Sequence, residues 1–416
     1  MKQIKINELE YYGSQIFINN YINKIIICSL LVLYGLFAFL NIKHFPQKFI
    51  NKNQIKSYIK YINDCKNHKR YKRVKIVNEN PYISICIPAL NMKKYIERTI
   101  LSIINQSFQD FEIIIVNDNS KDDTEEIIKR LQLEDNRIKL INHNTNKGVY
   151  YSRVEAILFS KGKYIILMDP DDLYLNENLF KELYNYNFKY NLDIIEFTVF
   201  QQIEGRRNIF YPKKHYESHY HNFINNFTFQ PSLSEILFHN PKNYMYTHSI
   251  CRNIWNKMIR RKFLLDMHKF IGLSYFNNFV ITADDMAMNI ITYHFANNYS
   301  NIYLPGYMYN IRPVSMSHGD GGAFLKQVRA INYLLYFEIL FKYIKQFEID
   351  RRILFYELKN LRRYIYSIKD NNMTNYENQT KYFLNKIIND DLANRMLKSI
   401  VIELLLYFEN VDIKNK

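Results

Sequence analysis

From Pro81 onward, short apolar runs alternate with stretches of helical periodicity, which is how a parallel sheet with crossover helices is written in sequence. The first predicted strand covers residues 82–88. After it, Ile96, Ile100, Ile103 and Ile104 share one face of a helix that Asn91 is placed to cap. A second strand, 111–116, runs into Asn117, Asp118, Asn119 and Ser120, and a helix through Ile127, Ile128 and Leu131 follows. A third strand covers 138–141. A helix from about Val149 is expected to end at Gly162, a residue suited to a left-handed C-terminal position. The fourth strand, 164–168, delivers Asp169, Pro170, Asp171 and Asp172, and 193–197 resembles one more buried strand. The residues with chemistry therefore stand at the carboxyl ends of strands, the edge where open α/β sheets bind ligands.

The chain of 416 residues is long enough for one large catalytic unit with appendages. Hydrophobic residues at 48% and aromatics at 16% exclude a disordered chain, and 10 Gly with 9 Pro leave few breaks between domains. A formal charge of +16 favours anionic partners in general, but the lysines are spread over the whole length, so no nucleic-acid surface is expected. Cys28, Cys65, Cys86 and Cys251 show neither a metal spacing nor a disulfide framework. The uncharged run of 18 residues from Ile25 to Ile42 is apolar all round and would span roughly 27 Å as a helix. It is expected to be a single transmembrane anchor, with residues 1–24 as an N-terminal tail and 43–80 as a basic stem. Residues 321–416 read as a helical appendage, through an amphipathic stretch such as Leu334, Leu335, Phe337, Ile339, Leu340 and Phe341.

Clustered carboxylates beside apolar strands repel one another unless a cation neutralises them. Asp118 after one strand and Asp169, Asp171 and Asp172 after another offer oxygen ligands of the kind that suit Mg2+ or Mn2+, and leave coordination positions free for phosphates. The same residues would also serve as a solvated turn capping a helix that begins near Leu175.

Seven ordered pieces carry a family resemblance. ISICIPALN from Ile83, SIINQSFQDFEIIIVNDNS from Ser102, NKGVYYSR from Asn146 and GKYIILMDPDD from Gly162 resemble the donor half of a family-2 glycosyltransferase. WNKMIRRKFL from Trp255, with ADDMAM from Ala283 and YMYNIRPVS from Tyr307, is similar to the acceptor half. The resemblance implies a GT-A-type fold over 81–320, a mixed, mostly parallel sheet with flanking helices. It implies a metal-dependent inverting transfer from a nucleotide-sugar donor, of the UDP-sugar kind, to an acceptor hydroxyl. It places Asp118 on the nucleotide base with Pro88 as the neighbouring wall, Arg153 near the nucleotide, Asp169 on the ribose side, Asp171 on the divalent metal and Asp285 as catalytic base. Trp255 is open to packing or to sugar stacking, and Arg312 and His318 to a surface place or to the diphosphate.

Asn119, Leu90, Ser152 and Asp284 stand where the family usually has Gly, Tyr, Ala and Glu, and none of these departures removes a group the chemistry needs. Two other classes compete. A non-catalytic scaffold would not require Asp118, Asp171 and Asp285 together, and a nucleotidyltransferase would require a Gly/Lys phosphate loop that residues 89–94 do not provide. The lysines at 43, 48, 52, 56 and 60 favour a cytosolic catalytic side. The sequons at Asn226, Asn298, Asn372 and Asn378 are accordingly expected to carry no glycan, and a mobility shift on glycosidase treatment would reverse the orientation.

Overall fold

The computed structural model describes residues 52–66, 78–204, 209–210, 253–272, 284–312 and 322–347, with isolated positions 381, 382 and 385. The chain divides into two units, Met1–Lys56 and Ser57–Lys416, and of the first only the start of one helix falls among these residues. The apolar run 25–42 lies outside them. Among the described residues no helix is long and apolar enough to cross a membrane.

Helix α1 (Lys52–Lys66) lies in the expected stem, where Tyr61 is buried and donates its hydroxyl to Ser102 O at 3.0 Å. The sheet then begins with β1 (Ile83–Ala89), α2 (Ile96–Ile104), β2 (Phe111–Asn117), α3 (Thr124–Glu134), β3 (Ile138–Asn142), α4 (Val149–Phe159) and β4 (Tyr164–Leu167). These four strands stand in the order β3-β2-β1-β4 and pair in parallel. β1 and β2 are buried along their whole length, as isoleucine-rich runs must be when helices cover both faces. Along β1, Ile85 and Ile87 enter one core and Cys86 the other. The first core is shared with α2, α3 and α5 (Leu179–Tyr190), the second with α4, α6 (Arg261–Ile271), α7 (Asp284–Phe295) and α8 (Gly322–Phe347).

The remaining strands are β5 (Leu173–Tyr174), β6 (Ile194–Ile203), β7 (Ile209–Phe210), β8 (Lys257–Arg260) and β9 (Tyr299–Ile311), and they continue the sheet as β4-β8-β6-β9-β5 with β7 on β6. Only the β6 and β9 pair is parallel here. The β4–β8, β6–β8, β6–β7 and β5–β9 pairs are antiparallel. The sheet is therefore mixed, as expected, with its parallel pairings among β1 to β4 and between β6 and β9. An apolar run does not encode its direction, which is set by how the chain returns to the sheet.

Two local expectations are corrected. Asn91 does not cap α2, which begins at Ile96 behind Tyr95; instead Asn91 takes φ 54 and its Oδ1 accepts the Lys121 N–H at 2.8 Å, bracing the turn after β2. Gly162 does not end α4 in a left-handed conformation, because α4 ends at Phe159 with extended Ser160 behind it. Its requirement is close approach: a Cβ there would sit 2.6 Å from Ser84 N on β1.

Candidate active site

The strands reverse their direction of succession at β1, which has β2 on one side and β4 on the other, and the crevice outside their carboxyl ends collects the acidic residues. Asp118 follows β2 directly and its N–H donates to Ala89 O at the end of β1, 2.8 Å away. Its carboxylate is almost fully buried. It accepts the N–H groups of Lys147 and Gly148, each at 2.8 Å, and lies 2.7 Å from His143 Nδ1. The other ring nitrogen of His143 contacts Glu155 of α4. Gly148 can sit at the start of α4 with φ 91 because it lacks a Cβ. A carboxylate accepts about four hydrogen bonds, so these three leave Asp118 room for one more partner. Pro88, buried in β1 opposite Val116, lies one residue before Ala89.

The turn after β4 sorts its three aspartates. It leads into β5 rather than into a helix near Leu175; the next helix, α5, starts at Leu179. Asp172 turns inward and is fully buried, with Oδ2 accepting the Tyr307 hydroxyl at 2.6 Å and Oδ1 the Asn310 N–H at 2.8 Å, both from β9. Burial, then the neighbouring Asp171 and Asp169, hold its carboxyl well above the usual range. Asp169 is partly exposed and Asp171 nearly buried. Burial first and repulsion from Asp169 second push Asp171 up to about 6, with Arg312 and Arg98 pulling the other way. Arg98 of α2 donates to the Asp171 carbonyl at 2.9 Å, and Thr99 donates to the carbonyls of Pro170 and Asp172 at 2.9 and 2.8 Å.

Asp285 arrives from far along the chain, in the first turn of α7, and accepts the N–H of Met286 at 2.9 Å. Arg153 of α4 joins the two halves. It donates to Asp169 Oδ1 at 2.7 Å and to Asp284 Oδ2 at 2.5 Å. Burial works against the Arg153 charge, but Asp284, Asp169 and Asp285 more than reverse that and raise its pKa further. Burial, followed by the negative charge of Asp284, pushes Asp285 up to about 7 in spite of Arg153. That value suits a group that must take a proton near neutral pH.

Arg153 thus links Asp169 and Asp284 directly, Asp171 and Asp285 feel this set through their charges, and Asp118 with Pro88 lies at the ends of the adjoining strands β1 and β2. Trp255 is a packing residue here, stacked on Tyr307 (4.6 Å, 18°) and Tyr309 (5.3 Å, 3°). His318 falls outside the described residues. His143 is not singled out by sequence, Asp284 enters it only as a departure from the family pattern, and Tyr307 only as the start of the block YMYNIRPVS, where nothing says that its hydroxyl reaches Asp172. For a divalent ion the crevice offers Asp171 with Asp169 beside it, and among the described residues no group of three His, Cys, Asp or Glu side chains encloses a metal. An all-oxygen set of one or two carboxylates fits Mg2+ or Mn2+, which leave their other positions to water and phosphate.

The sequence model of the family described as "Glycosyl transferase family 2" matches residues 84–262. An uncharacterized glycosyltransferase of Haemophilus influenzae is 39% identical over 103 residues, 25% of this chain and 41% of that protein. A putative teichuronic acid biosynthesis glycosyltransferase of Bacillus subtilis is 33% identical over 108 residues, 26% of this chain and 43% of that protein. A GalNAc(5)-diNAcBac-PP-undecaprenol beta-1,3-glucosyltransferase of Campylobacter jejuni is 37% identical over 93 residues, 22% of this chain and 30% of that protein. The chain thus spans less than half the length of these curated relatives. Among solved structures, S. aureus TarS 1-349 in complex with UDP-GlcNAc overlays with a TM-score of 0.47 at 18% identity, covering 79% of this chain and 90% of that one. The overlay is loose. Residues 84–262, less than half of the chain, thus match the sequence model of glycosyl transferase family 2.

Proposed function

We propose that the protein is a membrane-anchored, divalent-metal-dependent, inverting glycosyltransferase that moves a sugar from a UDP-sugar to an acceptor hydroxyl. The observation that carries the reading is that Arg153 joins Asp169, in the turn that would hold the donor, to Asp284, the chain neighbour of Asp285, whose own carboxyl is pushed up to about 7. Asp285 takes the proton of the acceptor hydroxyl as its oxygen bonds to the anomeric carbon. The bond from that carbon to the diphosphate oxygen breaks, and its electron pair leaves with the nucleoside diphosphate. Asp171 would hold a divalent ion, which when bound would supply positive charge to the departing diphosphate. Arg153 keeps Asp169 and Asp284 in place, so that donor side and base side keep their separation. Asp118, with an acceptor position to spare, serves the N–H of the donor base, and Pro88 forms the wall beside it.

The test separates binding from chemistry. Asp285→Asn should leave UDP-sugar binding, measured by calorimetry, nearly unchanged, while turnover falls by a factor on the order of 100 or more. Donor affinity collapsing together with rate would show that Asp285 belongs to the donor side and is not the base.

A further inference from the structure

Three arginines surround the turn after β4, and they are bound in different ways. Arg98 and Arg153 donate directed hydrogen bonds, at 2.9 Å to the Asp171 carbonyl and at 2.7 Å to Asp169 Oδ1. Arg312, one residue beyond β9, differs. Its Nε lies 2.5 Å from Asp171 Oδ2, yet that nitrogen is buried and makes no aligned hydrogen bond. Its guanidinium rests 5.2 Å from the centre of the Tyr95 ring, whose hydroxyl is held by Glu204 at 3.0 Å. Arg312 therefore meets the carboxylate assigned to the metal by charge alone, without the geometry that would make the contact a fixed part of the fold.

A guanidinium and a divalent cation compete for the same carboxylate oxygen through charge repulsion and shared lone pairs. Resting on the metal reading above, we propose that Arg312 is a tethered counter-ion that holds Asp171 while no donor is bound and is displaced when the divalent cation arrives. It is a positioning residue acting through Asp171. Because binding equilibria are reciprocal, whatever Arg312 contributes to Asp171 is lost when metal binds, and metal affinity in the nucleotide-free protein is lowered accordingly. A cation that enters together with a nucleoside diphosphate gains phosphate ligands and overcomes the competitor. The contact thus makes metal loading depend on the donor.

The test counts free Mn2+ by electron paramagnetic resonance during titration of the full chain at about pH 8, where ordinary carboxylates are ionised. Wild type, R312Q and R312K are compared without nucleotide and with UDP. R312Q should bind Mn2+ without nucleotide about tenfold more tightly than wild type, with R312K in between, and this advantage should shrink when UDP is present. Asp171→Asn should remove the difference between the backgrounds. Losing a merely structural residue would weaken metal binding, so unchanged or weaker affinity in a folded R312Q overturns the inference. If R312Q fails to fold, R312K decides: a compact ammonium no longer replaces the guanidinium contact, and wild-type Mn2+ affinity in that variant overturns it equally. Absence of Mn2+ binding to every protein, even with UDP, together with sugar transfer that persists in chelator, would overturn the metal reading and this inference with it.

Discussion

At the scale of single residues, the chemistry turns on what surrounds each carboxylate. Asp285 is pushed up to about 7 by burial, then by Asp284, against the pull of Arg153. Only the ionised form can accept a proton, so kcat/KM should climb as pH rises through about 7 and level off above it. Asp284→Asn removes the nearest negative charge and should move that limb to lower pH; a limb that stays in place would dissociate it from Asp285. The sign for stability is opposite. Between the ordinary carboxylate range and about 7 the folded protein holds a proton that the unfolded chain has released, so this group's contribution to stability falls as pH rises through that window. It is the family resemblance that nominates Asp118, Asp171 and Asp285. Residue type and order alone do not distinguish Asp171 from Asp172, adjacent and chemically identical, of which one meets Arg312 and the other is buried against Tyr307.

At the scale of elements, β9 is what makes the turn after β4 rigid. Tyr307 donates to Asp172 Oδ2, its hydroxyl oxygen receives the Asp169 N–H at 3.3 Å, and Asn310 donates its N–H to Asp172 Oδ1. Trp255 covers the Tyr307 ring, so the sole tryptophan supports the site from behind. Tyr307→Phe keeps this stacking and removes only the hydroxyl, which leaves a buried carboxylate oxygen and a buried N–H short of a partner. The expected loss is about 1–3 kcal/mol, read as a lower urea midpoint, together with weaker donor binding. An unchanged midpoint would mean that the Tyr307 hydroxyl does not brace the turn. None of this was legible beforehand, because β5 and β9 meet across more than a hundred residues and a local pattern cannot name its partner strand.

At the scale of the whole molecule, α8 is part of the core. Tyr333, Tyr336, Phe337, Ile339, Leu340, Phe341, Tyr343 and Ile344 are buried with side chains of α4, α6 and α7. Burying each is worth roughly 1.5–3 kcal/mol, which together exceeds the net stability of a typical domain. A chain ending at residue 321 should therefore lose its cooperative thermal transition and bind a hydrophobic dye; a sharp transition in that truncation would restore the reading of this region as an appendage. The sequence by itself determined the alternation of strand and helix, the parallel half of the sheet and the edge at which the acids gather, since these follow from local periodicity and from the chain order β1 to β4. The tertiary structure decided the rest. The antiparallel strands, the closure of the core by α8 and the division of the aspartates between crevice and interior depend on contacts between distant segments, and burial and neighbouring charge, which set each carboxylate's role, exist only once those segments meet.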